Sequence, residues 1–252
     1  MANKKELLKK LLKGIETGEA SAAAVVNAAK YIQHNPQTHE GSEGLAVLFA
    51  RLAKTNPKVR FIRVFEDGDF AFAHNEYDFL SVRAAFEVFR FEDGFAVEHW
   101  DNIQPLKEPN PSGRSMLDGE TEVRDLNLTE INRALVREAV ETMFVGRNLD
   151  RLTDYFAANL IQHSPEAGDG TDALRATLEQ TDGSLFHIRY DCIHRVLAEG
   201  NFVLCVSEGF KGQAHTSFYD LYRVENGLIA EHWDTVETIA PRSEWKNNNG
   251  KF

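Results

Sequence analysis

Two strings in this chain carry residues suited to proton transfer, and each occurs twice. YIQHNP at residues 31–36 returns as LIQHSP at 160–165, placing His34 and His163 just before a proline-containing loop. FRFEDGFAVEHWDN at 89–102 returns as YRVENGLIAEHWDT at 222–235, placing His99 with Asp101 and His232 with Asp234. Histidine exchanges a proton near neutral pH, and a carboxylate can act as base or orient an imidazole. The candidate catalytic groups are therefore His34, His99 and Asp101 in the first copy and His163, His232 and Asp234 in the second. A packing reading stands beside this one, with the histidines as hydrogen-bonded helix-end and core residues. His34, His99 and Asp101 are also ligand types for Zn or Fe. No compact ligand motif such as HExxH accompanies them, and no metal or other cofactor is expected.

Side chains alternate faces along a strand, so His99 and Asp101 should point together, with Phe95 and Val97 before them. Leu228, Ala230, His232 and Asp234 give the same order, and a bulge would rephase either set. On the opposite face, Glu98 and Glu231 can pair with Arg90 and Arg223, and Trp100 and Trp233 are pocket walls or packing. His74 has Val206 as its counterpart, whereas Glu76 and Glu208 remain aligned. The first pocket is thus expected to hold an extra proton donor, with His215 as partial compensation in the second.

These residues need elements to position them. Leu7, Leu8, Leu11, Leu12 and Ile15 share one side of a helix near the start. Helices are expected over 4–16, 20–32 and 41–54, the second ending at the IQH motif because Pro36 removes a donor. Strands follow at 59–65, 70–77, 84–91 and 95–103, separated in part by EDGD and EDG turns. The second copy repeats this order, with helices over 127–144, 152–161 and 172–178 and strands at 186–197, 202–208, 217–224 and 228–236. Helices followed by an antiparallel sheet describe an α+β domain. The expected division is a first domain at 1–106, a linker at 107–126, a second domain at 127–240 and a flexible tail at 241–252.

The IQH motifs, the helix-to-strand order and GxxxEHWD together resemble the SnoaL-like branch of the nuclear transport factor 2-like superfamily, here in tandem. That resemblance implies two cone-shaped domains, each with helices packed on a curved antiparallel sheet around an apolar cavity. It also implies chemistry of the polyketide-cyclase, isomerase or dehydratase kind, with Asp101 and Asp234 matching the family's acid/base strand aspartate. The expected activity is metal-free lyase or isomerase chemistry of the aldol-cyclase type, enolising a small apolar carbonyl compound. A noncatalytic small-molecule binding protein and a metal-dependent His/Asp site are the alternatives. Members often pair through their sheets, so an intramolecular pseudo-dimer is expected, as a monomer or a further homodimer.

The chain has 252 residues and a formal net charge of −11, which opposes nonspecific nucleic-acid binding. No stretch is apolar enough to cross a bilayer, and the Lys-rich start lacks an export cleavage pattern. A cytoplasmic protein without nucleic-acid or membrane partners is expected. Cys192 and Cys205 are read as buried free thiols. Phosphate-loop, Rossmann and nucleophile-elbow motifs are absent, disfavouring kinases, nicotinamide-dependent dehydrogenases and α/β-hydrolases.

Overall fold

A computed structural model describes residues 3–179 and 188–252. The chain divides into two compact units, residues 1–105 with 240–252, and residues 106–239. Each is an α+β domain with helices preceding a five-stranded mixed sheet.

In the first unit the order is α1 (Lys4–Thr17), α2 (Ala20–Ala23), β1 (Ile32–Gln33), α3 (Gly41–Leu52), β2 (Lys58–Asp67), β3 (Phe70–Asp78), β4 (Val82–Glu92) and β5 (Phe95–Pro105). The Asn3 side chain accepts the Glu6 N–H at the start of α1, and Gly18 ends it in the left-handed conformation. Leu8, Leu11, Leu12 and Ile15 bury the predicted stripe against Ala71, Ala73, Phe89 and Phe91 of the sheet. Each such aliphatic side chain contributes roughly 1.5–3 kcal/mol. At Gly14 a Cβ would lie 2.2 Å from the Ala22 Cβ, so α1 and α2 approach closely only because glycine stands there.

The sheet order is β1-β5-β4-β3-β2, with β1 parallel to β5 and the other neighbours antiparallel. The Ala-rich propensity expected to carry a helix to Ile32 yields after Ala23. The Val25 carbonyl accepts the Ala96 N–H, and the Asn27 N–H donates to the Ala96 carbonyl, so β5 competes successfully for this backbone. The IQH motif consequently begins on a strand.

The second unit contains α4 (Thr129–Val140), α5 (Leu152–Tyr155), β6 (Phe156–Gln162), α6 (Thr171–Leu178), β7 (Ile188–Glu199), β8 (Phe202–Lys211), β9 (Ala214–Glu225) and β10 (Leu228–Thr238). Its order, β6-β10-β9-β8-β7, repeats the first topology. The helix expected over 152–161 stops at Tyr155, because the following residues pair with β10 from Phe156 to Gln162. The start of the strand expected from residue 186 lies outside the described residues. Beyond α4 the backbone makes a π turn at Glu141–Val145, closed by the Gly146 N–H donating to the Glu141 carbonyl.

The segments after each sheet are packed rather than frayed. Asn247 is buried in the first unit and donates through its amide to the Asn35 and Thr38 carbonyls at 2.8 and 3.0 Å. Asn110 is buried in the second and donates to the Gln162 and Ala167 carbonyls at 2.6 and 2.9 Å. Neither expectation of a loose tail nor that of a detached linker describes these residues. Their polar composition reflects a requirement to satisfy backbone groups beside the IQH strands.

Candidate functional site

On the inner face of the first sheet, β4 and β5 bring Glu87 opposite Asp101 and Phe89 opposite His99. The His99 Nδ1 donates to Gln33 Oε1 at 2.8 Å, and its Nε2 lies 2.6 Å from Glu87 Oε2. Tyr77 donates its hydroxyl to the other Glu87 oxygen at 2.8 Å. Burial raises the Glu87 carboxyl above its usual range, outweighing the opposing effect of His99. Asp101 receives the Asn35 amide at 2.5 Å and the Lys251 ammonium at 3.4 Å, the latter from the tail. His99, Glu87 and Asp101 thus all have partners within their own unit.

Strand alternation places His99 and Asp101 together, but the apolar stretch before them is rephased. A register shift between Arg90 and Phe91 puts Ala96 rather than Val97 opposite Phe91, and Phe95 is exposed. The second unit has the same irregularity between Ile229 and Glu231, which buries Ile229 in the core.

In that unit Asp220 replaces Glu87. It accepts the Tyr190 hydroxyl at 3.0 Å and faces His232 Nε2 at 3.0 Å, while His232 Nδ1 donates to Gln162 Oε1 at 2.9 Å. Tyr222 stacks on His232 with ring centroids 4.7 Å apart. Asp234 lies opposite Asp220 in the β9–β10 ladder. Burial raises its carboxyl to about 6, and the negative Asp220 adds to this while His232 opposes it. Asp234 Oδ1 and the Tyr222 hydroxyl have no hydrogen-bond partner among the described residues.

The expected trios do not assemble. His34 donates from Nδ1 to the Gly250 carbonyl at 3.2 Å, contacts Glu98 Oε1 at 3.0 Å and stacks on Trp100 at 4.7 Å. His163 correspondingly donates to the Ser115 carbonyl at 2.7 Å, contacts Glu231 Oε1 at 2.9 Å and stacks on Trp233. Both belong to the face carrying Glu98 and Glu231, where Arg90 and Arg223 complete the ion pairs at 2.8 and 2.7 Å. Desolvation holds the His34 imidazole below its usual value despite Glu98. The cause is parity: each histidine directly follows Gln33 or Gln162, which is the side chain that reaches inward.

His74 also leaves the expected pocket. It contacts Arg63 through Nδ1 at 3.0 Å and stacks on Phe86. His215 contacts Glu208 at 2.6 Å, away from Asp234. For a cation in the first pocket, Glu87 takes the place assigned to His34. Donor atoms of Glu87, His99 and Asp101 lie within 4.8 Å of one another, but the Lys251 ammonium already supplies positive charge there.

Sequence reasoning passed over Glu87, Asp220, Gln33, Gln162, Tyr77 and Tyr190. A usable signal was present, since FEVF and YDLY each place one carboxylate within an apolar strand at equivalent registers. The tyrosines come from different strands. Tyr77 on β3 opposes Val59 on β2, whereas Gly209 on β8 opposes Tyr190 on β7. A Cβ at Gly209 would meet the Arg189 carbonyl oxygen at 1.9 Å, so the exchange keeps one phenol while relieving the strand contact.

A narrow cleft of about 10 Å³ reaches Tyr190 between Met143, Phe144, Leu149, Leu178 and Ile188, with Arg147 beside it. The π turn carries Met143 and Phe144 to this wall. Such a volume corresponds to about one water.

The SnoaL-like domain family matches residues 136–232, spanning α4 to the EHWD motif. Over these residues the second unit is similar to SnoaL-like domains. The first unit, outside that match, repeats the sheet order of the second. An NTF2-like protein of unknown function from Cytophaga hutchinsonii is 18% identical, with 42% of this chain and 93% of that one covered and a TM-score of 0.37. IdmH from Streptomyces antibioticus, described as a candidate polyketide cyclase, is 14% identical, with 41% and 93% covered and a TM-score of 0.37. A candidate ketosteroid isomerase from Kribbella flavida is 22% identical, with 45% and 84% covered and a TM-score of 0.37. No relative is found among curated protein sequences. Among the described residues, no helix is long and apolar enough to cross a membrane.

Proposed function

We propose that the second SnoaL-like domain enolises a small apolar carbonyl compound, as the first half of an isomerisation or an aldol cyclisation. The observation carrying this reading is the buried Asp234 carboxyl, raised to about 6, with its partnerless oxygen near the stacked His232 and Tyr222 pair. A carboxylate with this raised value is a stronger base than an ordinary aspartate yet remains largely ionised at neutral pH.

Asp234 takes the proton beside the carbonyl, and the Tyr222 hydroxyl donates a hydrogen bond to the developing enolate oxygen. Burial holds the Tyr222 phenol well above its usual value and therefore protonated. The Asp220–His232–Gln162 chain fixes the imidazole that supports the Tyr222 ring. Return of the proton at another carbon completes an isomerisation, and attack of the enolate carbon on a second carbonyl completes an aldol addition. The first domain is read as a noncatalytic counterpart because Asn35 and Lys251 already engage both Asp101 oxygens.

Deuterium uptake beside the carbonyl of small cyclic ketones, followed by NMR, tests the proposal. Uptake above the buffer rate that disappears in Asp234→Asn supports it. Uptake equal to buffer for every ketone, or an undiminished rate in a folded Asp234→Asn protein, overturns it.

A further inference from the structure

The face opposite Tyr190 carries a second cluster with no counterpart in the first domain. In the first sheet Arg60 opposes Glu76, and the two form a cross-strand ion pair at 2.6 Å. At the matching register in the second sheet, Cys192 opposes Glu208. The cation has been replaced by a thiol, and two imidazoles converge on the same carboxylate. His194 Nε2 lies 2.8 Å from Glu208 Oε2, and His215 Nε2 lies 2.6 Å from Glu208 Oε1. The ladder shifts register between Ile193 and Arg195, leaving His194 as the unpaired residue whose side chain is redirected.

We propose that Cys192, His194 and Glu208 bind a divalent cation of the zinc class, with His215 holding the second Glu208 oxygen. The donor atoms of the three ligands lie within 4.8 Å of one another. Cys192 Sγ is 3.5 Å from His194 Nε2 and 4.0 Å from Glu208 Oε2. Tetrahedral coordination at ordinary zinc distances separates ligand atoms by roughly 3.4–3.7 Å. Small side-chain rotations therefore convert the hydrogen-bonded cluster into three ligands and an open fourth position. Thiolate, imidazole and carboxylate are the donor set zinc accepts, whereas calcium and magnesium demand oxygen.

Both Cys192 and His194 are exposed, so the ion can reach them from solvent. Binding exchanges the Cys192 thiol proton for the metal and uses the neutral His194 Nε2 lone pair. His215 orients Glu208 in the way that a hydrogen-bonded partner fixes other metal ligands, an effect worth about 10–100-fold in affinity.

Titration of the metal-stripped full chain with Co(II), followed through the thiolate-to-cobalt absorption, provides the test. One equivalent should saturate the band, with Zn(II) displacing the cobalt. Cys192→Ser should abolish the band, His215→Ala should weaken binding about tenfold, and Cys205→Ser should leave both unchanged. Retained folding of each variant is checked by circular dichroism. Absence of a saturable thiolate band in the native chain, or its survival in Cys192→Ser, overturns the site.

Discussion

Asp101 and Asp234 occupy the same place in two copies of one sheet, each opposite a second carboxylate and two residues after a histidine. Their surroundings differ. Asp101 is engaged by Asn35 and by Lys251. Asp234 has Ser164 at the position of Asn35, and an oxygen without a partner. The segments beside the two IQH strands present matching carbonyls, Gly250 to His34 and Ser115 to His163. The next residue is Lys251 in one and Met116 in the other. Asn35 and Lys251 in one domain, against Ser164 and Met116 in the other, therefore separate a carboxylate engaged at both oxygens from one with an oxygen left over, at the same register of the sheet. The surroundings of each aspartate are set by what accompanies the motif as much as by the motif itself.

The largest expected contrast is catalytic. Asp234→Asn should lower carbonyl-dependent deuterium uptake by about 10²–10⁴-fold, the usual contribution of a positioned base. The corresponding Asp101→Asn protein should show its main effect in stability, because Lys251 would be left buried without its carboxylate. Comparable catalytic losses at both positions would erase the distinction between the domains.

Lys251→Met brings the first domain closer to the second. It leaves Asp101 buried and without its cation, which should destabilise that domain by about 3 kcal/mol at pH 8. Hydrogen exchange at the β4 and β5 amides measures this locally, and adding Asp101→Asn should restore part of the loss. Unchanged protection in Lys251→Met would mean that the ammonium contributes nothing to holding Asp101.

A third contrast is in pH dependence. The folded Asp234 carboxyl lies at about 6 against an ordinary 3.8. Between these values the folded domain holds a proton that the unfolded chain has released. Stability therefore falls as pH rises through this window, by about 3 kcal/mol in total. Asp234→Asn removes the titration and should stabilise β9 and β10 by about 2 kcal/mol at pH 8, with no gain at pH 4. Equal protection of the variant and the native protein at pH 8 would contradict the burial of an uncompensated charge.

The parts legible in sequence are those set by local period. Alternation in EHWD placed His99 with Asp101, and the α1 stripe identified Leu8, Leu11, Leu12 and Ile15 as core. Positions requiring distant backbone were not legible. The register shifts that bury Ala96 and Ile229 arise from pairing with β4 and β9, and the strand starts at Ile32 and Phe156 depend on β5 and β10. Cys192 was expected to be buried and is exposed, because a register shift between Tyr190 and Cys192 changes the phase of β7. The tail looked disordered by composition, yet its asparagines satisfy carbonyls more than two hundred residues away in sequence.

Those asparagines give the smallest expected contrast, and they test whether the two segments are equivalent. Asn247 donates to two carbonyls and accepts the Asn249 N–H at 3.1 Å. Asn110 also donates to two carbonyls, but accepts N–H groups from both Ser112 and Arg114, at 2.9 and 3.0 Å. Replacing either by alanine removes two hydrogen bonds to backbone oxygens beside the IQH strands, at a cost of about 2 kcal/mol in its own domain. Asn110→Ala should cost slightly more because it strands one further donor. The two losses are readable separately as faster hydrogen exchange around residues 31–38 and 160–167. If Asn247→Ala left the first region unaffected while Asn110→Ala opened the second, the likeness between the segments would be confined to geometry. The Lys251 contact with Asp101 would then have to be held by some part of the tail other than its asparagine anchor.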